Sequence, residues 1–174
     1  CNLKCVTCGP NNSTQWIKDY SLHKPKLNTT QWGKLQTSAP GKIEFVKDIL
    51  ANSTFSKIRL ELYGGEPLIG TASLEFLDWL YKQPYADRTT IVISTNGTTY
   101  LTNFEKYVDK FNCNIIFSVD GIGNEFEYLR TNAKFTEVQH VIDRYRSNLL
   151  LKFNDRVNLS FNYTMSWMNS LHFA

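Results

Sequence analysis

From Lys42 onward the chain switches repeatedly between two hydrophobic periods, which is the signature of alternating helices and strands. Ile43, Val46, Ile49 and Leu50 share one helical face, and residues 58–63 (IRLELY) then read as a strand. Leu74, Leu77 and Tyr81 mark a second helix, followed by a buried, β-branched strand over 90–95 (TIVIST). A third helix is expected where Thr102 and Glu105 form a capping-box signature ahead of Phe104, Tyr107, Val108 and Phe111. A strand over 114–118 follows, then a long helix carrying Val138, Val141, Ile142, Tyr145 and Leu149 on one stripe, then strand character over 157–165. The order βαβαβαβ predicts a parallel sheet covered by helices, because each parallel neighbour needs a crossover of a dozen or more residues. An open or partial α/β barrel and a doubly wound sheet both satisfy it, and both put chemistry at the carboxyl ends of the strands.

Residues 9–41 show no sustained period and hold Pro10, Pro25, Gly33, Pro40 and Gly41, so they read mainly as loop. The two Thr-Gln-Trp triplets, at 14–16 and 30–32, share no flanking pattern and make no repeat. At 174 residues, 42% hydrophobic and 20% charged, the chain suits one domain with a buried core and is not a disordered tail. The excess of 19 Lys+Arg over 16 Asp+Glu, a net charge of +3, is too slight to imply a nucleic-acid partner. No apolar run approaches the roughly 18 residues of a membrane span and no secretory signal leads the chain, so a cytoplasmic location without membrane partners is expected. The chain opens on Cys1 and closes on Leu171, His172, Phe173 and Ala174 straight after a strand-like run, and so reads as a piece of a longer protein.

Three of the four cysteines, Cys1, Cys5 and Cys8, fall within eight residues, while Cys113 stands apart. That distribution does not suit a disulfide framework. Three thiolates at this spacing can converge on a metal centre about 2.3 Å from each sulfur, leaving one coordination position open. Two readings follow: an iron–sulfur cluster, or a zinc site completed elsewhere, for instance by Cys113 or His23. Cys113 begins a strand and reads mainly as a small buried hydrophobe. Trp16, Trp32, Trp79 and Trp167 read as packing residues. His23, His140 and His172 lack ligand spacing, the Asn28 and Asn52 sequons carry no weight, and Arg144 and Arg146 with Lys134 and Lys152 read as a solvated face.

Each predicted strand ends in a polar or glycine-rich group: Gly64-Gly65-Glu66-Pro67, Thr95-Asn96-Gly97, and Ser118-Val119-Asp120-Gly121. Paired glycines let backbone approach a ligand, and Pro67 stiffens the exit so that carbonyls and the Glu66 carboxylate can face a donor such as an ammonium group. Singly, Asn96-Gly97 and Asp120-Gly121 are ordinary turns. Together with the cysteine triplet they point to a polar ligand lying across the top of the sheet.

With these residues in view the sequence resembles the radical S-adenosylmethionine (radical SAM) superfamily. The family's C-x3-C-x2-C motif stands as Cys1, Cys5 and Cys8, and its Gly-Gly-Glu-Pro motif as Gly64 to Pro67. Thr95-Asn96-Gly97, the Ser118-to-Gly121 strand end and Arg130 resemble the branch whose members carry a SPASM or twitch extension. Cys8-Gly9-Pro10, Ser13, Trp16 and the segment from Thr164 to Asn169 look most like twitch-type members.

The resemblance implies one radical SAM core over residues 1–174, a partial (β/α)6 TIM-barrel-like fold whose first strand and C-terminal part lie outside the chain. Unpaired sheet edges would then leave the isolated piece unstable or inactive. It also implies a [4Fe–4S] cluster on Cys1, Cys5 and Cys8 with a vacant iron for S-adenosylmethionine. Gly64, Gly65 and Glu66 would receive the methionine amino group, Ser118 and Asp120 would lie near the ribose, and Asn96 would line the pocket. Arg130 would pair with the methionine carboxylate through its planar fork, the bland alternative being a solvated arginine after a short helix. Asn162 and Thr164 would face the ligand and Asn169 would help place the adenosyl group, against a plain turn as the alternative.

The implied activity is reductive cleavage of S-adenosylmethionine to a 5′-deoxyadenosyl radical that abstracts hydrogen. An external one-electron donor of flavodoxin or ferredoxin type and a peptide, protein or carbohydrate-linked substrate would be its partners. A zinc-binding interaction module and a non-catalytic Fe–S carrier stay as alternatives; neither needs the strand-end motifs aimed at one pocket.

Overall fold

The computed structural model describes residues 1–10, 12–23 and 40–170, except the side chains of residues 40–42. Trp32, His172, the Asn28 sequon and the second Thr-Gln-Trp triplet therefore lie outside the described residues. Four strands form one parallel sheet in the order β2 (Ile58–Leu62), β3 (Thr89–Thr95), β4 (Asn112–Ser118), β6 (Val157–Asn162). The crossovers hold α3 (Thr71–Tyr81), the short α4 (Glu105–Val108), α5 (Gly123–Leu129) and α6 (Phe135–Tyr145), with α2 (Pro40–Ala51) leading into β2. A doubly wound sheet reverses strand order at a switch point. Among the described strands the order follows the chain without reversal.

Register explains how the sheet is covered. Ile91 sits between Leu60 and Cys113, and Ile93 between Leu62 and Ile115, so alternate residues build one apolar face. Onto it pack Phe76, Leu77 and Leu80 of α3, Phe104, Tyr107, Val108 and Phe111 around α4, and Tyr145 and Leu149 from the end of α6. The intervening positions carry Arg59, Glu61, Thr90, Ser94, Asn114 and Ser160, with Val92, buried, and Ile116, half-buried, as apolar exceptions. One face of the sheet is thus apolar and helix-packed and the other polar, unlike a sheet buried alike on both sides.

A second, smaller core lies beside the cysteines. The two-residue strand β1 (Lys4–Cys5) pairs antiparallel with β5 (Arg130–Thr131), placing Cys5 opposite Arg130, and Val6 N–H donates to Leu129 O at 2.8 Å. Leu3, Cys5, Phe126, Ala133 and Val138 are its buried members, with Cys1 and Cys8 packed against them.

Several local expectations are corrected. Residues 14–23 are helical, a 3-10 turn (Thr14–Trp16) running into α1 (Ile17–His23), because Ser13 caps the turn by accepting from Gln15 N–H. The capping box at Thr102 does not form: Asn103 adopts a left-handed φ of 64°, the helix starts only at Glu105, and that carboxylate accepts from Tyr100 OH instead. The stripe on α6 continues to Leu149 through a π turn (Arg146–Leu150), and the last strand stops at Asn162 rather than 165. Cys113 is wholly buried, and burial pushes its thiol up to about 12. Trp79 packs on the core as read, whereas Trp167 is exposed. Among the described residues no helix is long and apolar enough to cross a membrane.

Candidate functional site

The parallel order puts the ends of β2, β3 and β4 on one edge, and the cysteine loop docks there. Gly64 and Gly65 follow β2 with φ of 83° and 53°, a conformation glycine adopts without strain. A Cβ on Gly65 would come within 3.2 Å of the Cys1 nitrogen, so the absence of a side chain is what lets the two loops meet. Asn96, after β3, donates from Nδ2 to Asn2 Oδ1 at 2.8 Å and reaches Cys1 Sγ at 3.6 Å. Thr98 closes the network: its hydroxyl donates to Asn96 Oδ1 and accepts from Asn2 Nδ2. Cys1, Asn2, Gly64, Gly65, Glu66 and Pro67 line one cleft of about 670 Å³.

Glu66 works inward. Its Oε1 accepts from the Thr95 hydroxyl at 2.8 Å and from Leu68 N–H at 3.2 Å, and its Oε2 accepts from Asn96 N–H at 2.7 Å. Burial pushes the carboxyl up while these three bonds pull it back. The carboxylate therefore ties the Gly-Gly-Glu-Pro turn to the end of β3.

The cysteine loop is held by groups later in the chain. Ser13, almost wholly buried, donates to Leu3 O at 2.5 Å and lies 3.0 Å from Cys1 O, and Trp16 Nε1–H donates to Cys5 O at 3.0 Å. Lys4 pairs with Asp19 and lies over the Trp16 ring. All three thiols are free and share the apolar wall of the small core. The Cys8 thiol is pulled down to about 6, first by a hydrogen bond from Cys5 and further by Arg130 and Thr7, against the opposing effect of burial. That bond and burial push Cys5 up. Among the described residues no three His, Cys, Asp or Glu side chains are grouped to hold a single metal ion.

The remaining predicted residues form a second group. Arg130 is only 8% exposed, so it is no solvated surface arginine. Its NH2 contacts Asp120 Oδ2 at 2.6 Å, its NH1 lies 4.0 Å from Cys5 Sγ, and its buried Nε has no partner among the described residues. Asp120 is fixed in turn: Thr164 N–H donates to its Oδ1, and Asn169 Nδ2 donates to its backbone carbonyl at 2.8 Å. Asn169, fully buried, also donates to Thr164 O and accepts from Ser166 N–H, folding the segment after β6 into a turn against Asp120. Ser118 stands half-buried at the end of β4, in register with the exposed Asn162.

The structure thus joins Cys1, Gly64, Gly65, Glu66, Pro67 and Asn96 on one side, and Cys5, Asp120, Arg130, Thr164 and Asn169 on the other, with the cysteine loop bridging them. Asn2 and Thr98 complete the site without having been expected there, Thr95 of the Thr-Asn-Gly motif joins it through Glu66, and Ser13 and Trp16 anchor its loop.

No family model matches the chain. In sequence it is similar to the radical SAM cyclopropyl synthase TigE of Paramaledivibacter caminithermalis, 25% identical over 169 residues that cover 95% of this chain. In fold it is similar to native anSMEcpe solved with bound AdoMet and Cp18Cys peptide, with a TM-score of 0.54 at 20% identity over 91% of this chain. The chain spans 33% of the length of that relative and 39% of the solved chain. The likeness in sequence is thus to a radical SAM enzyme, and the likeness in fold extends over nearly the whole of this chain.

Proposed function

We propose that the chain is the core of a radical SAM enzyme that binds a [4Fe–4S] cluster through Cys1, Cys5 and Cys8 and S-adenosylmethionine at the adjoining sheet edge. One observation carries the reading: the cysteine loop lies directly against Gly65 and Asn96, the two strand-end motifs that sequence alone could only suggest were neighbours. The donor set fits such a cluster. Three free thiols share an apolar wall, the shell that keeps water from a cluster, and each thiolate binds its own iron, so the three need not surround one ion. When bound, the cluster supplies the electron that splits S-adenosylmethionine into methionine and a 5′-deoxyadenosyl radical.

The chain's own residues bind and orient. Glu66 holds the Gly64-Gly65 turn against Cys1, setting that backbone to receive the methionine amino group. Asn96 bridges the end of β3 to the cysteine loop, holding Asn2 and Cys1 at the cleft. The Nε of Arg130, without a partner among the described residues, is a donor left for the methionine carboxylate, since NH2 is engaged by Asp120 and NH1 turns to Cys5. Ser118 and Asp120 lie toward the ribose, and Asn169 holds the Thr164 turn that borders it. We read the open parallel sheet, with its polar second face, as part of a partial (β/α)6 barrel whose interior is that face.

A peptide substrate is favoured by the peptide bound to the structural neighbour, and the SPASM or twitch branch by the Thr164-to-Asn169 turn. The electron comes from an external one-electron donor of flavodoxin or ferredoxin type, and the enzyme acts in the cytoplasm.

The test is dithionite-driven formation of 5′-deoxyadenosine by the intact, anaerobically reconstituted protein. Turnover that disappears in Cys5→Ala is expected. A protein with a full cluster and no cleavage would instead be a non-catalytic carrier.

A further inference from the structure

Arg130 does two things that the binding of S-adenosylmethionine does not require. Its backbone pairs with Cys5 across the β1–β5 ladder, and its guanidinium turns back over that cysteine, NH1 ending 4.0 Å from Cys5 Sγ. That is long for an N–H···S bond, but charge acts at this range where the surroundings exclude water, and Arg130 is 8% exposed against the Phe126 ring. Cys1, by contrast, is met by the neutral amide of Asn96 at 3.6 Å. Asp120, itself 3% exposed, holds the other end of the guanidinium at 2.6 Å. The backbone N–H of Thr164 fixes that carboxylate through its second oxygen.

We propose that the Arg130–Asp120 pair trims the electrostatic potential at the Cys5 corner of the cluster and thereby sets how readily the cluster accepts an electron. The proposal rests on the cluster reading above. Reduction adds one negative charge to the cluster, taken from an external one-electron donor, with no bond made or broken. A cation beside a ligating sulfur favours the reduced form, and a carboxylate behind that cation offsets it, because net charge and hydrogen bonds to sulfur set the potential of such clusters. Arg130 turns NH1 to the Cys5 sulfur and NH2 to Asp120, so the cation is the group that meets this corner and the carboxylate acts on it from the other end of the guanidinium. Asp120 is the positioning residue here, acting through Arg130.

The experiment is an EPR-monitored redox titration of the intact, reconstituted protein without S-adenosylmethionine, on wild type, Arg130→Met, Arg130→Lys and Asp120→Asn. Arg130→Met should lower the reduced-to-oxidised ratio at fixed potential about tenfold, equivalent to about 59 mV for one electron. Asp120→Asn should raise it severalfold, and Arg130→Lys, which keeps the cation, should stay nearer wild type and guards against loss of the cluster in the methionine variant. Opposite signs at the two positions support the proposal. Equal potentials in all proteins, or shifts of the same sign, overturn it while leaving the cluster reading intact. No iron–sulfur chromophore in any of the four proteins would overturn the cluster reading, and this proposal with it.

Discussion

The two regions that meet at the carboxyl edge of the sheet are built on opposite principles. The main core is mostly apolar, closed by aromatic side chains such as Phe104, Phe117 and Tyr145, with tyrosine hydroxyls as its polar exceptions. The site holds Ser13, Glu66, Asn96, Asp120, Arg130 and Asn169, each buried and each held by another polar group. Burial of apolar area is non-directional, whereas a buried polar group has a fixed set of partners and loses heavily without them. Damage to the core should therefore cost stability alone, and damage to the edge should cost geometry before stability.

The largest effect is expected from Phe117→Ala. Phe117 is fully buried, 5.7 Å ring to ring from Tyr145, and truncation should cost about 3–5 kcal/mol of unfolding free energy. Chemical denaturation should show this while the iron bound per folded chain stays at the wild-type level, which separates core from site. Glu66→Gln should cost less, about 1–3 kcal/mol, because either orientation of the amide sets an N–H against the backbone N–H of Asn96 or Leu68. The same variant should weaken S-adenosylmethionine binding, read by calorimetry, through displacement of the Gly64-Gly65 turn. Ser13→Ala is the mildest at about 1 kcal/mol, since it removes a cap and the bond to Leu3 O. Its mark should be a loss of cluster iron out of proportion to the loss of stability. If Phe117→Ala depletes iron and Ser13→Ala does not, the contrast between the regions fails.

That contrast also explains what the sequence could and could not say. The strand at 90–95 is readable because a buried strand draws on β-branched residues, the stripes on α3 and α6 because burial repeats at a fixed period, and the parallel sheet follows from their order. The strand-end motifs were readable because turns draw on few residue types. The partners were not. Asn96 reaches Cys1 across 95 positions and Arg130 reaches Cys5 across 125, distances at which local pattern carries no signal. Helix 14–23 was hidden by polar, turn-rich composition, and only Ser13 two residues ahead of Gln15 hinted at its cap. At Thr102 the motif was present, but the left-handed Asn103 moved the helix start past it.

The role given to Glu66 shows the same limit in chemistry. A carboxylate after two glycines suggested an acceptor aimed outward at an ammonium group, and the fold turns it inward onto Thr95 and Asn96. Its partners in the structure are the end of β3 and its own turn.

The most direct test is the metal content of the intact protein purified without oxygen. The account predicts about four irons and four sulfides per chain, bound in wild type and lost when Cys1, Cys5 and Cys8 are all replaced by alanine. Stoichiometric zinc without sulfide would contradict it, and would leave a binding module built on the same sheet.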